Sequence, residues 1–172
     1  MNSKKRMMFI LEEDYYFITI KILSILIALE CNIKPFEDYR RLAIIFEFIK
    51  DDSNISFMKK MYDRRPLDLF ENERSVKIFC ESKLDVSVIK RVLFFLEKQN
   101  MVALQKNPKK GSIDVILLHN DLLKELVDEE IIKKDIENCI LIKNTIYRLR
   151  TLKLTTLQDK IFGYSEVTKW EN

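Results

Sequence analysis

The sequence predicts a mainly α-helical protein that carries one small β-hairpin. The chain of 172 residues contains only two glycines and three prolines, so long helices with few tight turns are expected. Apolar residues recur at spacings of three and four in most segments. With 47% hydrophobic and 33% charged residues, the composition is that of a folded protein with a substantial core.

The first third of the chain predicts three helices. Tyr16–Cys31 is apolar on most sides and is expected to lie between other elements. It contains Lys21 and is shorter than the roughly 20 residues of a membrane span, so we predict a soluble, cytoplasmic protein with no membrane segment. Ile55–Arg64 is the third helix.

The second predicted helix, Asp38–Lys50, has a clear apolar face. Its apolar residues recur at helical spacing and are expected to face the core, at Leu42, Ile45, Phe46 and Ile49. Its charged residues fall on the other faces, at Arg40, Arg41, Glu47 and Lys50.

The middle of the chain predicts a helix followed by a hairpin. Asp85 or Ser87 is expected to cap a helix that runs to about Gln99, and Asn100 is a suitable left-handed terminator. Two short strands are expected at 101–104 and 112–118, joined by the lysine-rich loop KNPKKG.

The remaining residues predict a helical extension. After Asn120, apolar residues at threes and fours indicate one or two long amphipathic helices that continue to about Lys160. We therefore expect an N-terminal helical region at 1–66, a core at 67–119, and a C-terminal extension and tail at 120–172.

No motif for catalysis or for a cofactor is present. Glycines at 111 and 163 alone cannot build a phosphate-binding loop, and no metalloprotease, serine-hydrolase or CxxC pattern occurs. Cys31, Cys80 and Cys139 are widely spaced and are expected to be buried, reduced thiols. We predict a non-enzymatic protein that needs no cofactor and no metal.

One stretch resembles a known DNA-binding scaffold. RSVKIFCESKLDVSVIKRVLFFLEKQNMV, from Arg74 to Val102, is similar to the helix-turn-helix of winged-helix domains. Those domains carry a short helix, a turn and a longer helix that ends in a phrase of the form LxxLExxG, followed by the wing hairpin. Here Asn100 stands where that phrase has glycine. The resemblance implies a winged helix-turn-helix core with N- and C-terminal helical extensions.

Such a scaffold suggests residues that would contact DNA. On the second helix they are Ser87, Lys90 and Arg91. In the wing they are Lys106, Lys109 and Lys110, which suit sequence-independent contact with phosphates. The alternative is a solvated basic loop, and the net charge of only +3 gives no global nucleic-acid signature.

Two adjacent phenylalanines indicate a covering partner. Phe94 and Phe95 cannot both face the core of their own small domain, so at least one must be covered. We expect cover from the C-terminal helices, Leu122–Leu149, and a partner protein is the alternative. Trp170 in the tail is a further candidate for a partner interface.

The whole layout resembles a family of bacterial subunits. An apolar N-terminal helix, the phrases DYRRL (38–42) and PLDL (66–69), the winged-helix stretch and long C-terminal helices follow one another. This order looks like the middle component of bacterial three-component ATPase systems, including Lamassu-type anti-phage defence systems. The resemblance implies an accessory subunit that docks on an SMC/Rad50-like ABC ATPase and an effector or nuclease, with non-specific DNA contact. The alternative is a homodimeric transcription regulator that reads an operator through Ser87, Lys90 and Arg91.

Overall fold

The structure is a computed structural model that describes residues 3–119, 125, 127 and 129–163, with side chains described from Tyr15 onward except for Ile131. It is mainly helical and has a two-stranded antiparallel hairpin, so the predicted class is confirmed. The elements are α1 (Ser3–Ala28), α2 (Arg40–Ile49), α3 (Asp52–Tyr62), α4 (Leu69–Lys98), β1 (Val102–Asn107), β2 (Ser112–Leu117), α5 (Glu130–Thr145) and α6 (Leu154–Phe162).

Three helices end in a left-handed residue although the chain has almost no glycine. Glu30, Arg64 and Asn100 each have φ between 54° and 59°. In each case the next residue donates its backbone N–H to a carbonyl in the last helical turn, as Met101 does to Leu96 at 2.9 Å. These contacts satisfy carbonyls that the helix leaves free. The predicted role of Asn100 is confirmed.

Helix α2 is the centre of the core. Every residue from Arg41 to Ile49 is buried, because α2 is in contact with five other helices, α1, α3, α4, α5 and α6. The prediction that Arg41 and Glu47 lie away from the core is therefore wrong. Helical periodicity separates the two faces of a helix, but it does not show that both faces are covered.

Arg41 fixes the start of α2 to a distant part of the chain. Its guanidinium donates to the carbonyl oxygens of Glu37, Leu149 and Arg150, the last at 2.6 Å. It also stacks 4.5 Å from the ring centroid of Phe36. Burial lowers the pKa of Arg41 to about 10, so it remains charged at neutral pH. This clamp holds the segment between α5 and α6 against α2.

Helix α4 is a single helix of 30 residues. It begins at a capping box, in which Asp68 accepts from the backbone N–H of Glu71 and the Glu71 side chain accepts from Asp68 N. The turn expected within 74–102 is absent, and Asp85 and Ser87 are not caps. No glycine or proline lies between 69 and 98, so nothing in the local sequence stops the helix.

The hairpin lies between α4 and the start of α2. Val102 pairs with Leu117 and Asn107 with Ser112, and Gly111 takes the left-handed conformation that the loop requires. Phe36 forms an isolated antiparallel bridge with Val115, so the segment before α2 pairs with β2 at one position. The predicted hairpin is confirmed, and its first strand is longer than expected.

The described C-terminal part has two helices, as the prediction of one or two helices to about Lys160 allows, but they are separated by a break that was not predicted. Helix α5 ends at Thr145, and residues 146–153 are non-helical, with Arg148 at φ 58°. Helix α5 packs on α1, where the Lys21 ammonium lies 2.5 Å from Asp135 Oδ1 in a buried ion pair.

Two of the three cysteines are buried as expected. Cys31 and Cys139 lie in the core, where burial raises the pKa of both thiols to about 12. Cys80 is exposed on α4, so the prediction is wrong for this residue. Among the described helices, none is both long and apolar enough to cross a bilayer.

Candidate docking surface

The three helix residues predicted to contact DNA share one exposed face of α4. Ser87, Lys90 and Arg91 are all exposed, as the spacing of an α-helix requires for residues 87, 90 and 91. The Ser87 hydroxyl donates to the carbonyl of Leu84 at 3.3 Å. Phe94 and Phe95 continue the same face, and the Lys90 ammonium lies 5.9 Å from the Phe94 ring centroid. The face is therefore both basic and aromatic.

The hairpin lysines fall into two groups. Lys106 and Lys109 are exposed. Lys110 forms an ion pair with Glu37 and donates to the carbonyl of Thr151 at 3.0 Å. The Lys110 ammonium is thus engaged within the protein, and its contacts join the hairpin loop to the segment after α5. Two of the three hairpin lysines predicted to contact DNA, Lys106 and Lys109, are therefore exposed.

Phe94 and Phe95 are not covered within the part of the chain that the structure describes. They are 42% and 55% exposed. The expected cover from the C-terminal helices is therefore wrong for the described residues 129–149. Residues 120–124, 126 and 128, and Trp170, lie outside the described residues.

A groove lies between α1 and α4 beside these phenylalanines. One cavity of about 410 Å³ is lined by Tyr15, Tyr16, Thr19, Arg91, Val92 and Phe95. A second, of about 510 Å³, is lined by Tyr15, Phe17, Ile18, Phe46, Lys50, Asp85, Val88 and Arg91. The two cavities share Tyr15 and Arg91, so they adjoin each other, and we call the pair the α1/α4 groove.

Aromatic side chains dominate the rim of the α1/α4 groove. Tyr15, Tyr16 and Phe17 on α1 are 37%, 65% and 43% exposed; Tyr15 and Tyr16 line the first cavity together with Phe95 of α4, and Phe17 lines the second. Sequence analysis identified the α4 side of the groove but missed the α1 side. The run Tyr15-Tyr16-Phe17 beside three acidic residues was the available signal, because side chains of a fully buried helix rarely include consecutive tyrosines.

A buried carboxyl group lies below the second cavity. Glu47 is 1% exposed and pairs with Lys50, which also reaches Asp85 Oδ2 at 3.2 Å. Burial, and hydrogen bonding with Asp85 and Glu81, raise the pKa of Glu47 to about 8, whereas Lys50 opposes this rise. Glu47 is therefore largely protonated at neutral pH.

Stability is expected to fall as pH rises because of Glu47. Its pKa is higher in the folded than in the unfolded state, so its stabilisation is complete below about pH 4 and is lost as pH rises through about 8. The slope is at most about 1.4 kcal/mol per pH unit. Urea unfolding of the parent and of Glu47→Gln at pH 5, 7 and 9 measures this. The free energy of unfolding of the parent should fall relative to that of Glu47→Gln as pH rises. If the two free energies change in parallel with pH, the raised pKa of Glu47 is contradicted.

The described residues contain no group of three or more histidine, cysteine, aspartate or glutamate side chains placed to hold a metal ion. Glu47 and Asp85 pair with Lys50 instead, and Glu81 pairs with Lys77 on α4.

Comparison of the chain with protein-family models, with curated proteins and with solved structures finds no significant match. The resemblance to middle components of three-component ATPase systems therefore stays a prediction.

Proposed function

We propose that the chain is a non-enzymatic docking subunit that binds a partner protein through the α1/α4 groove. The observation that carries this proposal is the exposure of aromatic side chains in and beside the α1/α4 groove, namely Tyr15, Tyr16, Phe17, Phe94 and Phe95. Exposed apolar groups that form a continuous patch usually mark an interaction site, and aromatic residues and arginine dominate the energetic centres of interfaces. Arg91 lies within this patch.

We further propose that the partner belongs to an SMC/Rad50-like ABC ATPase assembly with an effector or nuclease, acting in anti-phage defence. This part rests on the resemblance in the order of the helices and in the phrases DYRRL and PLDL. A docking subunit without a catalytic motif fits such an assembly, because the ATPase and the effector would supply the chemistry.

The core is proposed to be a variant of the winged helix. Three features support this: α4 leads through Asn100 directly into the hairpin, Phe36 pairs with the last strand, and α2 packs against α4. These match the order of a winged helix, with a helix, a short strand, further helices and two wing strands. The core differs from a standard winged helix because α4 is unbroken. If α4 is the recognition helix, the first helix of the helix-turn-helix would be α2 or α3.

The exposed lysines of the hairpin are proposed to give weak, sequence-independent DNA contact. We expect Lys106→Glu/Lys109→Glu to weaken binding to a random duplex by about tenfold or more, because each lysine that neutralises a phosphate releases a counterion. The slope of log affinity against log salt should become shallower by about two. Fluorescence anisotropy over a salt series measures both quantities.

The control variant is Lys34→Glu/Lys133→Glu, which makes the same change in net charge at exposed lysines on other elements. Equal losses for the two double variants would show that only overall charge matters, and DNA contact by the hairpin would then be rejected.

One observation favours the alternative of a stand-alone regulator: Ser87, Lys90 and Arg91 all remain exposed on one face of the helix before the hairpin. A regulator would select a short palindrome from a pool of random duplexes with a large specificity ratio. The docking subunit should enrich no discrete sequence.

The experiment that tests the proposed assembly is affinity purification of the tagged, full-length chain from its native host, followed by mass spectrometry. Stoichiometric recovery of a large coiled-coil ATPase is the expected result. Recovery of the chain alone, as a dimer that carries one DNA sequence, would overturn the proposal in favour of the regulator.

A further inference from the structure

We infer that the α1/α4 groove takes an α-helical segment of the partner that carries an apolar stripe and a carboxylate opposite Arg91. This inference rests on the proposed docking function and states which chemistry the groove recognises.

The walls of the groove favour a helix over an extended peptide. Both walls are helices, α1 and α4, whose backbone groups are bonded within each helix. A bound segment therefore finds no free row of backbone donors and acceptors with which to form a ladder. A segment that enters an apolar groove must satisfy its own backbone hydrogen bonds, and a helix does so.

The shape of the groove matches one side of a helix. The two cavities lie next to each other because both are lined by Tyr15 and Arg91, and each has room for large apolar side chains. Side chains three, four and seven positions apart lie along one face of a helix, so successive anchors would enter successive cavities.

The charges of the groove favour an acidic partner. Arg91 lines both cavities and has no carboxylate partner among the described residues. Lys50 also lines the groove, but its charge is balanced by Asp85, and Glu47 pairs with it from below. Arg91 is thus the cation left for a ligand. A carboxylate placed among the aromatic side chains would form a charge-assisted hydrogen bond with it.

A second copy of the chain fits this surface less well. A two-fold interface brings the same patch of both copies together, and it would place two Arg91 guanidinium groups in one apolar contact. Asp85 is the carboxylate on the described rim, and it is already paired with Lys50, so it would not compensate the two guanidinium groups and such a contact is unfavourable. Nucleic acid would prefer a basic surface with fewer aliphatic and aromatic side chains at its centre.

The test selects ligands for the full-length chain from a displayed library of helix-forming peptides of about 20 residues, randomised along one face. We expect the enriched peptides to carry apolar residues at i, i+3 or i+4, and i+7, with Asp or Glu beside them. Their affinity should fall about tenfold or more on Arg91→Glu and on Phe95→Ala. Lys98→Glu and Phe70→Ala are matched controls on α4 outside the groove, and they should change the peptide affinity by less than about twofold.

The inference is overturned if the library yields no peptide whose binding depends on Phe95, or if exchanging the acidic residue of the peptide for lysine leaves its affinity unchanged. Its failure is separable from that of the proposed function. If recovery of a native partner depends on Phe95 but not on Arg91, the docking function is supported and the acidic helical ligand is rejected. A partner whose recovery is indifferent to Phe95 would remove both.

Discussion

Replacing Arg41 with methionine is expected to lower the free energy of unfolding by about 3–5 kcal/mol. Methionine fills much of the same volume, so the loss arises mainly from polar groups. The carbonyl oxygens of Glu37 and Leu149 would lose the donor that Arg41 supplies, whereas the Arg150 carbonyl would keep the backbone N–H of Glu37. A buried acceptor without a partner costs about 1–3 kcal/mol.

Urea unfolding followed by circular dichroism measures the effect of Arg41→Met. The control is Arg65→Ala, which removes an arginine whose ion pair with Asp63 is largely exposed. It should cost less than about 1 kcal/mol because exposed ion pairs contribute little. A loss below about 1 kcal/mol for Arg41→Met would show that Arg41 does not hold the segment after α5.

Replacing Lys21 with methionine is expected to lower the free energy of unfolding by a similar amount, about 3–5 kcal/mol. The substitution leaves Asp135, only 3% exposed, without its cation. Asp135 Oδ2 already has no hydrogen-bond partner among the described residues. The ionised carboxylate would then be buried with neither of its oxygens paired.

The double variant Lys21→Met/Asp135→Leu tests whether the loss of stability comes from the unpaired Asp135 carboxylate. It should recover to within about 1 kcal/mol of the parent, or exceed it, because replacing a whole buried pair by apolar groups is often neutral or stabilising. The same urea assay provides the comparison. A double variant as unstable as the single one would mean that Lys21 contributes through packing between α1 and α5 rather than through its charge.

Local features of the fold could be predicted from the sequence. The hairpin follows from two apolar runs separated by a lysine-rich loop with Gly111, and the end of α4 follows from Asn100. Such features depend on residues that are neighbours in the chain, so their physical causes are visible there.

Features that depend on distant contacts could not be predicted. Arg41 and Glu47 are buried because other helices cover the second face of α2, which no periodicity reveals. The resemblance to a helix-turn-helix placed a turn within α4, although the local sequence there contains no helix breaker.

The candidate site was predictable in part. Phe94 and Phe95 indicated an interface because two adjacent aromatic residues cannot both enter a small core. The opposite wall, with Tyr15 and Tyr16, depends on how α1 lies against α4. The engagement of Lys110 with Glu37 likewise depends on the packing of the hairpin, so a sequence cannot separate it from its exposed neighbours.

The central claim, that the chain docks on a partner through the α1/α4 groove, is tested most directly by quantitative affinity purification of three full-length proteins from the native host. These are the parent, Phe95→Ala and the control Phe70→Ala, whose phenylalanine is exposed on the same helix but outside the groove. We expect Phe95→Ala to lower recovery of the partner by about tenfold at unchanged melting temperature, while Phe70→Ala recovers as much as the parent. Equal recovery with Phe95→Ala and the parent would contradict the claim.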